Sequence, residues 1–183
     1  MKYIDELMEA LQQTVLSYDG DCYLFQERVG EIVEFFRNVR NEGRKVFFIG
    51  NGGSAAIASH MTVDYMKNGK IVTCSTQESP MLTCLSNDFS YLEVYSKQIE
   101  SLGKAGDVLV AISSSGNSEN IIRAIDKADS LSMSSITLSG FDATNMIRSR
   151  GSYNVYVPSH KYGIVESIHQ LILQEIVDLL MED

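Results

Sequence analysis

The hydrophobic positions of this chain keep a helical rhythm at first and then change it. Between residues 3 and 17, Ile4, Leu7, Met8, Leu11 and Val15 fall on one stripe, the spacing of an amphipathic helix. Asp19-Gly20-Asp21 breaks that stripe. A second stripe, Leu24, Val29, Ile32, Val33, Phe36 and Val39, predicts a helix over 22–40 that ends at Asn41, Glu42 and Gly43. From residue 46 short apolar runs appear instead: VFFIG (46–50), IVTCS (71–75), DVLVAIS (107–113), SSITLS (134–139) and YNVYVP (153–158). The first and third are nearly unbroken and suit strands buried on both faces. Helical segments separate the runs, over 53–66, after residue 75 and over 117–131. The last segment, 162–181, returns to helical spacing through Val165, Ile168, Ile172, Ile176, Leu179 and Leu180.

This alternation predicts an α/β fold: a parallel five-stranded sheet sandwiched by helices in three layers, with right-handed crossovers. Two helices lead in and a long one closes. No linker, repeat or low-complexity segment interrupts residues 1–183, so a single domain is expected. The three outer helices are amphipathic; they can flank the sheet or pack on another subunit, and the pattern leaves both open.

Composition narrows the partners. A net charge of −9 argues against a protein that binds nucleic acid by neutralising phosphates. It does not argue against a small anion, which backbone N–H groups can hold without Lys or Arg. Cys22, Cys74 and Cys84 are odd in number and form no CxxC, which reads as reduced thiols. No apolar stretch reaches the roughly 20 residues of a membrane span, and the N-terminus lacks a signal-peptide core, so a cytoplasmic protein with no membrane partner is expected.

Two strand ends carry unusual loops. Gly50-Asn51-Gly52-Gly53-Ser54 follows the first strand, and Ser113-Ser114-Ser115-Gly116-Asn117-Ser118 follows the third. Each runs into a helix, whose first N–H groups are unpaired and carry partial positive charge. Glycines let a ligand approach the backbone, and serine hydroxyls add donors. Helix capping accounts for one or two of the four serines, whereas a phosphate accounts for all. Gly50-x-Gly52-x-x-Ala55 also matches a dinucleotide fingerprint, but the expected acid at the end of the next strand is missing, since CSTQ stands there and Glu78 comes late.

GNGGSA before a helix, SNDF (86–89), ISSSGNS (112–118) and the LSG turn (138–140) together resemble the sugar isomerase (SIS) domain family, and within it the phosphoheptose isomerases. The resemblance spans nearly the whole chain. It implies an aldose–ketose isomerase that converts sedoheptulose 7-phosphate to D-glycero-D-manno-heptose 7-phosphate, working as a homotetramer with active sites shared between subunits. It implies that Ser54, Ser113, Ser115 and Ser118 contact phosphate and sugar, and that Asn51 and Asp88 contact the sugar. Gly52, Gly53 and Ser114 join them as loop candidates. His60 matches a metal-binding histidine, and Asp64 stands where the family has a glutamate that is base and metal ligand. On the closing helix the family shows Gln-Glu-x-His, with a second His eight residues after the Gln. Here the segment is Glu166-Ser167-Ile168-His169, with Gln174 eight residues after Glu166. The family's Gln is thus Glu166 and its catalytic His is Gln174. Tyr162-Gly163-Ile164 replaces residues that are usually polar.

The expected catalytic residues are therefore Asp64, Glu166 and His60, with Asp64 or Glu166 as the base. His60, Asp64, Glu166 and Gln174 are the expected ligands of a divalent metal, Zn²⁺ by the chemistry of His and carboxylate donors. Gln174 is also a substrate candidate, and His169 or a water would stand in for the missing acid. Asn87 and Asp88 are candidates for sugar hydroxyls. Two other readings remain open: a SIS module that binds a phosphosugar or the replication initiator without catalysis, and an isomerase of another ketose phosphate.

Overall fold

The computed structural model describes residues 2–182. Fifteen elements follow in order: α1 (Lys2–Gln12), β1 (Val15–Tyr18), β2 (Asp21–Leu24), α2 (Phe25–Asn41), β3 (Lys45–Gly50), α3 (Gly53–Lys67), β4 (Val72–Cys74), α4 (Ser79–Asp88), a 3-10 turn (Tyr91–Glu93), α5 (Val94–Leu102), β5 (Val108–Ser113), α6 (Glu119–Ser130), β6 (Ser134–Ser139), β7 (Tyr153–Tyr156) and α7 (Tyr162–Leu180). The sheet runs β2-β1-β7-β6-β5-β3-β4. The five expected strands are its parallel part. It is extended to seven strands by an antiparallel hairpin on the β7 edge.

That hairpin corrects the helical reading of residues 13–17 and 22–24. Asp19 and Gly20 both take positive φ, 52° and 87°, and join β1 to β2 as a two-residue loop. An Asp-Gly pair adopts this turn cheaply, and its twist matches the strands it joins. Leu16 faces the core and pairs with Val155, so the apolar position that counts here alternates along a strand.

Both sheet faces are covered. Val46 and Phe48 of β3 point into the core beneath α2, α3 and α7, while Phe47 and Ile49 point into the core beneath α5 and α6. The period-two alternation of an all-apolar strand makes two cores at once. Tyr65 joins the first: its ring meets Phe36 and Phe48 edge-on at 5.1 and 4.9 Å, and its hydroxyl donates to the Leu173 carbonyl at 3.1 Å. This ties α2, α3, β3 and α7 together. α7 also buries His169, whose Nε2 donates to the Ser139 carbonyl at 3.1 Å.

Strand order reverses beside β3: the chain moves to β4 on one side, then returns to β5 on the other. Open α/β sheets bind ligands at such a point, outside the carboxyl ends of the strands. The two glycine and serine loops follow β3 and β5, so they meet there.

Two outcomes follow. Phe48→Ala should cost about 3–5 kcal/mol in denaturant unfolding, because it opens a cavity where the sheet meets three helices. Burial depresses the His169 pKa to about 4, so the unfolded chain binds the extra proton between roughly pH 6.5 and 4. The histidine's share of stability is complete above that window and falls through it by about 3 kcal/mol. Unfolding midpoints from pH 7 to 4 should drop more steeply for the wild type than for His169→Gln.

Candidate active site

The loops after β3 and β5 line one cleft of about 300 Å³, together with the start of α7. Its lining includes Asn51, Gly52, Gly53 and Ser54 from the first loop, and Ser113, Ser114, Ser115 and Ser118 from the second. Glu166 and Tyr162 arrive from α7. Nine of the expected site residues therefore converge, from three elements far apart in sequence.

Local geometry explains how each loop reaches the cleft. Gly50 lies so close to Ser54 that a Cβ on it would fall 2.5 Å from the Ser54 carbonyl oxygen, so the strand turns into the helix within a space only glycine leaves open. Gly52 caps α3 with φ 55°, and among the described residues no side-chain cap bond is made to that helix. Its donors face the cleft unpaired by any cap. Tyr95 backs the same turn, donating its hydroxyl to the Gly50 carbonyl, and burial is the main reason its pKa is pushed up to about 12.

In the second loop Ser118 is the N-cap of α6, yet its side chain caps nothing. Its hydroxyl lies 3.4 Å from Ser113 Oγ. Ser113 Oγ in turn accepts from the Gly116 N–H at 3.2 Å, and Ser115 Oγ accepts from the Asn117 N–H at 3.3 Å. Ser114 Oγ is buried with no partner among the described residues. Capping thus fails to account for these serines. The loop is braced from behind: Asn117 Oδ1 accepts from the Met146 N–H at 2.9 Å, and the Gly116 carbonyl from the Ile147 N–H at 3.1 Å. Gly116 has φ 64°, and a Cβ there would fall 2.0 Å from Asn145 Oδ1.

Glu166 stands against the first loop. A Cβ on Gly53 would lie 2.4 Å from its Oε2, so the carboxylate rests on the bare backbone at the start of α3. A carboxylate is favoured at a helix N-terminus. Among the described residues it is also the one acid in the cleft lining.

The other expected residues stand apart from this lining. His60 and Asp64, one turn apart on α3, pair with each other at 3.2 Å, and Gln170 Nε2 lies 3.2 Å from His60 Nδ1. Both imidazole nitrogens are thereby engaged. Gln174 donates to Asp178 at 3.2 Å on the outer face of α7, beside exposed Leu171. Asp88 ends α4 and accepts from Asn87 at 3.0 Å. His169 lies in the core, with no exposure from which to serve the cleft. Among the described residues no three His, Cys, Asp or Glu side chains gather as a metal site. The set His60, Asp64, Glu166 and Gln174 thus does not fit a metal within one chain.

Tyr162 is the lining residue that sequence reasoning noticed only as a departure. Its ring packs edge-on against Phe141 at 4.8 Å, placing an aromatic at the cleft mouth. An exposed aromatic at a helix start gives no periodic signal, so only the packing reveals it.

Comparison with known proteins agrees with this arrangement. Residues 26–140 match the model of the SIS domain family. A phosphoheptose isomerase from Shewanella denitrificans is 38% identical, over 96% of this chain and 93% of the relative, and one from Shewanella frigidimarina is 37% identical over the same shares. The solved phosphoheptose isomerase of Neisseria gonorrhoeae, 28% identical, superposes with a TM-score of 0.83 over all of this chain and 94% of its own. With its two glycine- and serine-rich loops at the strand-order reversal and these relatives, the chain belongs to the SIS domain family, among the phosphoheptose isomerases.

Proposed function

We propose that this protein is an aldose–ketose isomerase of sedoheptulose 7-phosphate, producing D-glycero-D-manno-heptose 7-phosphate for the heptose of surface polysaccharide. The observation that carries the reading is the carboxylate of Glu166 set against Gly53, in the same cleft as two uncapped helix starts. Binding and proton transfer are then available side by side.

In this reading the second loop takes the phosphate, through the Ser113, Ser115 and Ser118 hydroxyls and the first N–H groups of α6. Holding that end orients carbons 1 and 2 toward the first loop, which lowers the entropic part of the barrier. Glu166 removes a proton from C1 while the C2 oxygen gains one, giving the enediol. It then returns a proton to C2 while the O1 proton leaves, giving the aldehyde. Open N–H groups at the start of α3 offset charge that develops on oxygen.

Asp64 and His60 enter this reading through a second copy of the chain. Val63 and Met66, beside them on α3, and Leu171, beside Gln170 on α7, are exposed apolar residues. A shared-site homotetramer would cover these residues and bring further donors to His60. A divalent metal, Zn²⁺ by donor chemistry, belongs to the reading only in such an assembly, where it would polarise the sugar carbonyl. No proton step above depends on it.

Purified protein mixed with sedoheptulose 7-phosphate in deuterated water should take up deuterium at C1 and C2, followed by NMR, with the heptose accumulating. Glu166→Gln should lower the rate by about 10²–10⁴-fold while retaining inorganic phosphate binding. Exchange that survives in Glu166→Gln and disappears in Asp64→Asn would transfer the base to Asp64. No exchange at all, with phosphosugar still bound, would leave a binding module. Gly116→Ala should weaken inorganic phosphate about tenfold or more in calorimetry, because a methyl at positive φ pushes the loop off Asn145.

A further inference from the structure

Asn51 does not face the cleft as a free amide. Its Oδ1 accepts from Asn120 Nδ2 at 2.9 Å and from the Tyr91 hydroxyl at 2.8 Å. Its Nδ2 donates to Asn120 Oδ1, also at 2.9 Å. A primary amide has two acceptor positions and two N–H donors. Both acceptor positions and one donor are spent inside the chain. Among the described residues, one hydrogen-bonding position of Asn51 is left for the cleft it lines.

The two partners are themselves held. Asn120 is buried in the first turn of α6, directly after the second loop. Tyr91 opens the 3-10 turn whose last residue, Glu93, pairs with Arg123 and accepts from the Ser96 hydroxyl. Arg123 is three residues after Asn120, so both project from neighbouring positions on one side of α6. The turn is thus pinned to α6, and the phenol is pinned to the Asn51 amide.

We propose that Asn120 and Tyr91 are positioning residues that lock the Asn51 carboxamide, so that it offers the sugar one hydrogen-bonding position in a fixed direction. The reciprocal amide pair also spans the first loop and the helix of the second, fixing the distance between the groups that hold sugar and those that hold phosphate. The proposal rests on the reading of this cleft as a sugar phosphate site. It limits the Asn51 contact to one hydrogen bond and names the residues that impose that limit.

The test compares full-length wild type with Asn51→Ala, Asn120→Leu, Tyr91→Phe and the double variants of each with Asn51→Ala. Apparent dissociation constants for sedoheptulose 7-phosphate and for inorganic phosphate are measured by calorimetry, beside melting temperatures. Tyr91→Phe removes one oxygen from a half-exposed ring, so it probes the idea even if Asn120→Leu fails to fold. Each partner variant should weaken the sugar phosphate about tenfold, the worth of roughly one hydrogen bond, and leave inorganic phosphate within about twofold. Neither should weaken it further once Asn51 is Ala. Equal losses for both ligands, additive losses with Asn51→Ala, or no loss would each overturn the proposal while the sugar phosphate site stands. Asn51→Ala with unchanged sugar phosphate affinity would overturn it by removing the contact itself. A wild type that binds inorganic phosphate but no sugar phosphate would overturn the functional reading, and the proposal with it.

Discussion

The parallel pairing of β3 with β5 is the constraint on which the rest of the molecule depends. Gly50 stands level with Ile112, so both strands end at the same height and release their loops side by side. A slip of one residue would turn Phe47 and Phe48 to the opposite faces and strip both cores. The apolar packing that sets the register therefore also sets the width of the cleft. Two helix starts, each with donors that no side chain caps, are held next to each other by forces that act far below them.

That arrangement gives an acidic chain a set of donors suited to an anion. The donors come from backbone and hydroxyl groups, so the net charge of −9 is no obstacle at the scale of the cleft. The price is local crowding, met by glycine. Gly50 lets Ser54 approach, Gly53 lets Glu166 lie on the backbone, and Gly116 lets Asn145 brace the loop. Glu166 is the notable occupant. A carboxylate is favoured beside a helix start and repels a phosphate, so the proposed function requires the two anions to divide the cleft between the α3 and α6 ends.

Outside the cleft, α3 and α7 carry a second group of polar residues on a partly apolar face. His60, Asp64 and Gln170 form a chain of contacts there, and Gln174 and Asp178 form another. Val63 on α3 and Leu171 on α7 are exposed on the helices that carry these paired polar groups. The departures from the family pattern at Asp64 and Gln174 lie on this face, while Glu166 lies in the cleft.

Much of this was determined by the sequence itself, and the reason is locality. Parallel strands declare themselves as apolar runs because both faces are buried, and the loops declare themselves through glycine and serine, which act through backbone conformation and their own hydroxyls. Nine residues of the cleft lining were expected on those grounds and by resemblance. The β1–β2 hairpin was not, although Asp19-Gly20 is a turn signal, because four-residue strands offer too few positions to separate alternation from a helical stripe, and Val15 fits both. The convergence of side chains was decided only in three dimensions. That Glu166 reaches Gly53 while His60 and Gln174 do not join it depends on how α7 packs over α3. The links from Tyr91 and Asn120 to Asn51 span 40 and 69 residues of chain, a separation at which spacing carries no information and only the pairing of β3 with β5 brings the groups together.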